Sequence, residues 1–137
     1  MTFAQFLLGR ARSFRPPCCA ELPLDDRTTL YHVAISTELA LKAFLAHHGA
    51  TDAWLARHVR HDLARALDLA ESLGLDCGDA GRALVSQLDP YFREGGFLHL
   101  REPFWEQGFE VVGALKSDTL IAVVAECLTR PAASSLF

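Results

Sequence analysis

The residues best suited to chemistry gather in one short stretch. Arg57, Arg60 and Arg65 stand among His58 and His61, a basic cluster that also carries imidazoles. Guanidinium groups hold phosphate oxygens bidentately, and an imidazole beside them can donate or accept a proton. On one continuous helix, residues 57, 61 and 65 share a face, because side chains four apart stack along the axis. Such a face can receive RNA phosphate or the acidic surface of a partner. Asp62, Asp68 and Glu71 interleave with it and temper its charge. Asp62 has a second reading as a helix start, where a carboxylate meets free amides and the positive end of the helix dipole. His47 and His48 suit the opposite position, the end of a helix.

Two amphipathic helices must carry this stretch. The first runs from about Arg27 to His48, with Leu30, Val33, Ala34, Leu41, Phe44, Leu45 and His48 as its stripe and Glu38 and Lys42 behind it. The second runs from about Arg60 to Leu73, with Leu63, Ala66, Leu67, Ala70 and Leu73 on one face. Between them Thr51 or Asp52 caps a short turn that either joins the second helix or breaks near His58. Gly49 and Gly74 follow the two runs, at the position where helices commonly end in a left-handed residue.

The periodicity predicts three further helices. One spans Thr2 to about Arg12, with Phe3, Phe6, Leu7 and Arg10 on one face. It is basic and lacks acids, but its charge follows the apolar run, which argues for an amphipathic helix over a signal peptide. Pro16, Pro17 and Pro23 make residues 13–26 a loop. Another helix spans Ala80 to about Leu88; Asp89-Pro90 reads as its stop and a fresh start. A last helix is capped by Ser117 or Asp118 and carries Leu120, Val123, Val124, Cys127 and Leu128. The partly alternating stretch 97–113, with Pro103 and Gly108, reads as an irregular segment or small hairpin.

Composition narrows the classes. The 137 residues suit one domain, and half of them are apolar, enough for a core without a metal or disulfide. A net charge of −4 gives no bulk attraction to nucleic acid. No apolar run reaches membrane-spanning length. The four cysteines include no C-x-x-C pair, so no zinc ribbon or thioredoxin motif is present, and reduced thiols in the cytoplasm are expected. No G-x-S-x-G elbow supports serine hydrolase chemistry.

The run Glu-Leu-Ala-Leu-Lys-Ala-Phe-Leu over 38–45, a following His-Gly, and His-Asp-Leu at 61–63 with Leu67 and Ala70 behind it resemble the HEPN superfamily. These are helical bundles named for higher-eukaryote and prokaryote nucleotide-binding domains. The resemblance covers about 40 residues. It implies a single all-α domain over residues 1–137, an up-and-down bundle of four to five helices that pairs as a homodimer. Phe104, Trp105 and the N-terminal aromatics are candidates for the dimer contact. Catalytic members carry an arginine, four to six residues, then a histidine, and Arg93 and His99 match with five between them. The implied activity is ribonuclease cleavage without metal, the imidazole moving a proton and the guanidinium holding phosphate. Glu94 beside Arg93 opposes an RNA phosphate, and Gly95-Gly96 departs from the usual spacer. That departure favours a noncatalytic binding module beside a nucleotidyltransferase-type partner or in a toxin–antitoxin system, with RNA or nucleotide as ligand.

His61-Asp62 also resembles the metal pair of HD phosphohydrolases, with His32 and Asp118 as the further ligands. Arg60 beside the pair opposes a metal ion, so neither a metal nor another cofactor is expected.

Overall fold

The computed structural model describes residues 1–15, 26–93 and 109–132, excepting the side chains of residues 26, 27, 91, 93 and 109–111. The described residues form six helices and no strand: α1 (Phe3–Ser13), α2 (Asp26–His47), α3 (Asp52–His58), α4 (Leu63–Ser72), α5 (Gly78–Arg93) and α6 (Phe109–Leu128). None is long and apolar enough to cross a membrane.

The central element is α2, which packs against α1, α4, α5 and α6. Its whole expected stripe is buried, from Leu30 to His48. So are Ser36, Thr37 and Glu38, because neighbours surround the helix and few of its faces reach water. The hydroxyls of this belt are satisfied: Ser36 Oγ donates to the Ala11 carbonyl, and Thr37 Oγ1 to the Val33 carbonyl. The expected face of α4 is buried as well, Leu63, Ala66, Leu67 and Ala70.

Local chemistry sets the helix ends. Thr2 and Gln5 form a reciprocal capping box on α1, Thr51 caps α3, and Asp62 caps α4 by accepting from the Arg65 amide at 3.0 Å. Gly49 and Gly74 close α2 and α4 at φ 106° and 101°, values that suit a residue without a Cβ.

Three expectations are corrected. The buried face of α1 is Ala4, Leu7, Leu8 and Ala11, which fall at helical spacing on the side that packs on α2, and Phe6 is turned off that side and half-exposed. Helix α5 does not stop at Asp89-Pro90. It continues to Arg93, since Leu84, Val85, Leu88 and Phe92 form one buried stripe, while Pro90 lies on the exposed side. Helix α6 begins at Phe109, so residues 109–113 are helical rather than part of a hairpin; residues 97–108 lie outside the described ones. Ser117 is therefore no cap: it is buried within α6 and hydrogen-bonded to Thr37 at 3.3 Å.

Candidate anion-binding site

The chain breaks where the basic cluster lies. Helix α3 ends at His58 and α4 begins at Leu63, so Arg57, His61 and Arg65 do not share a helical face. Arg60 takes the left-handed conformation, φ 53°, and its amide donates back to the Leu55 carbonyl. A residue with a Cβ adopts this geometry at a cost of about 1 kcal/mol. The turn presents His61 to α2 instead.

There His61 Nδ1 meets Glu38 Oε1 at 2.6 Å. A carboxylate accepts, so the proton sits on Nδ1, and Nε2 is the nitrogen left for a ligand. The two sides of the pair differ sharply in exposure: the Glu38 side chain is 8 % exposed and that of His61 72 %. Lys42 Nζ lies 3.5 Å from the other oxygen, Glu38 Oε2, one helical turn along α2. Glu38 is thus held between a lysine and an imidazole. The Phe92 ring, near the end of α5, stands edge-on to His61 with centroids 5.5 Å apart, and Tyr31 packs on Phe92 at 6.3 Å. A carboxylate and an aromatic ring therefore fix the orientation of an imidazole that faces water.

The remaining cluster residues divide between structure and surface. Arg65 Nε donates to the His58 carbonyl at 2.6 Å and ties α4 to the end of α3. Arg57 and Arg60 are exposed. Arg93 ends α5, its side chain among those not described, and His99 lies outside the described residues.

The residues considered for metal ligation are drawn into separate pairings. His32 Nδ1 lies 3.1 Å from the Phe14 carbonyl, His61 faces Glu38, Asp62 caps α4, and Asp118 pairs with Arg15 at 3.9 Å. Among the described residues no three His, Cys, Asp or Glu side chains gather into a metal-binding group.

Sequence reasoning missed the part played by Glu38, Lys42 and Phe92. Glu38 stands four residues after Ala34 and three before Leu41, on the apolar stripe itself. An acid on such a stripe requires a partner, and that was the available signal. No family model, no curated protein and no solved structure matches the chain.

Proposed function

We propose that this chain is an HEPN-like helical module that binds phosphate-bearing ligands, RNA or a nucleotide, at the turn carrying Arg60 and His61. The observation that carries the reading is the Glu38–His61 contact. The pair satisfies the buried acid and at the same time fixes the orientation of an imidazole that is otherwise exposed. Here the carboxylate fixes the ring, Nε2 remains for a ligand atom, and the exposed guanidinium groups of Arg57 and Arg60 supply charge nearby in the chain. In this reading the module works in the cytoplasm as a homodimer beside a nucleotidyltransferase-type partner protein.

Titration of labelled 2′-O-methyl RNA, followed by fluorescence anisotropy over a series of salt concentrations, tests it. Binding should weaken with salt, and Arg60→Gln and His61→Ala should each reduce affinity about tenfold. Absence of binding, or binding indifferent to both changes, defeats the reading.

A second reading, a metal-independent endoribonuclease using Arg93 and His99, draws support from one contact. Phe92, the residue before Arg93, touches His61, so the end of α5 that carries Arg93 arrives beside an oriented imidazole. Cleavage of unmodified RNA in the presence of chelator, lost in His99→Ala and impaired in Arg93→Lys, supports this second reading. RNA bound and left intact leaves the binding module.

A further inference from the structure

Lys42 also lines a cavity of about 350 Å³ between α1, α2 and α3. Its volume is within the range of small-molecule sites. Leu7 of α1, Leu39 of α2 and Leu55 of α3 supply its apolar lining, while Arg10, Lys42 and Asp52 supply the charges, two cations against one carboxylate. We infer that this cavity binds a short amphipathic carboxylate, its apolar chain on the leucines and its head group on Lys42 and Arg10.

Two features of the cations argue for an anion. The Lys42 side chain is only 14 % exposed, yet its one ion pair among the described residues is to Glu38 at 3.5 Å. That separation is long for a charge-assisted bond, which is commonly about 2.7–2.9 Å. An ammonium has three donors, so Lys42 keeps donors for a ligand without giving up Glu38. Arg10 has no carboxylate partner among the described residues. Its guanidinium lies over the Phe6 and Phe14 rings, 5.9 and 5.7 Å from their centroids. The half-exposed Phe6, which also lines the cavity, thereby positions a cation at its edge. Asp52 is exposed on α3 and disfavours a ligand of higher negative charge. The combination selects a single negative charge attached to an apolar body.

This inference does not rest on the phosphate reading, since no residue of the His61 turn lines the cavity, although Lys42 and His61 share Glu38. Isothermal titration of the full chain with octanoate, below the concentration at which it forms micelles, is the test, with 1-octanol and octylamine as comparison probes. Octanoate should bind at one site and about tenfold more tightly than octanol. Arg10→Gln and Lys42→Met should each remove most of that preference. Ala56→Trp, at an exposed position in the lining, should block binding of every probe while circular dichroism remains unchanged. The Arg10 and Ala56 variants decide the matter even where Lys42→Met fails to fold, because neither touches Glu38. Octanoate binding no better than octanol, octylamine binding best of the three, or octanoate binding that survives Ala56→Trp each overturns the proposal.

Discussion

The carboxylate of Asp89, buried near the end of α5, accepts a hydrogen bond from the backbone amide of Ala64 at 3.3 Å. Helix α4 is thus capped twice, by its own Asp62 at the Arg65 amide and by an acid from a neighbouring helix. The first amides of a helix have no partner within it, and both carboxylates also meet the positive end of the dipole.

Removing the inner cap should cost more than removing the outer one. Asp89→Ala leaves a part-buried amide without its acceptor and should lower unfolding free energy by about 1–3 kcal/mol. Asp62→Ala, at an N-cap, should cost about 1 kcal/mol. Asp89→Asn keeps a carbonyl acceptor and should fall between wild type and Asp89→Ala. Urea unfolding of the three variants measures this, and an Asp89→Ala midpoint equal to wild type contradicts the buried cap.

Arg60 should be a residue kept at a cost to stability. Its left-handed backbone favours glycine, so Arg60→Gly should raise unfolding free energy by up to about 1 kcal/mol. The same change removes a guanidinium from the proposed phosphate site, so RNA affinity should fall as stability rises. Thermal unfolding and anisotropy on one sample separate the effects. A variant that loses stability shows that the Arg60 side chain holds the turn.

The contrast between Gly49, Gly74 and Arg60 shows what the sequence makes legible. Helix ends marked by glycine, and stripes such as Leu41, Phe44 and Leu45, follow from local rules and stand in the structure as expected. The end of α3 carries no such mark. Its turn is set by local contacts, Arg60 in an uncommon conformation and Arg65 holding the His58 carbonyl, which no residue type announces, so a break near His58 stands in the sequence only as one of two alternatives. Pro90 misleads for a different reason: the burial of Leu88 and Phe92 on one face outweighs the backbone hydrogen bond that proline forgoes. The Glu38–His61 pair joins residues 23 apart in sequence, and periodicity within one helix cannot register such a contact.

Cys77 should be a slow thiol. Burial, aided by the negative charge of Glu71, pushes its pKa up from the ordinary thiol value. At neutral pH the reactive thiolate is therefore scarce, and alkylation by iodoacetamide should be slower than for a free cysteine. The linkage follows in sign. Because the folded state holds the thiol proton more tightly than the unfolded chain, this contribution is complete below the unfolded pKa. It is lost as pH rises above about 8.5 and through the folded value. Cys77→Ala should flatten that part of the alkaline stability profile. Rapid alkylation of Cys77 in the native protein would contradict its burial.

Gly81 should resist substitution although it lies inside a helix, where alanine is ordinarily favoured by about 1 kcal/mol. A Cβ built at Gly81 falls 2.7 Å from both Cβ and Sγ of Cys77, distances at which something must move. The sulfur can rotate away, but the Cys77 Cβ is fixed to a backbone whose carbonyl accepts from the Gly81 amide at 3.3 Å. Relief therefore requires the first turn of α5 to shift, at a cost of about 1–3 kcal/mol typical of overpacking. Gly81→Ala should be destabilising overall. Cys77→Ala should rescue it only in part, because it removes the sulfur contact and keeps the Cβ contact, whereas Cys77→Gly removes both. A double-mutant cycle by urea unfolding should show coupling between positions 77 and 81 that is larger for the glycine replacement than for alanine. A Gly81→Ala variant more stable than wild type would mean that the turn at Cys77 yields without cost.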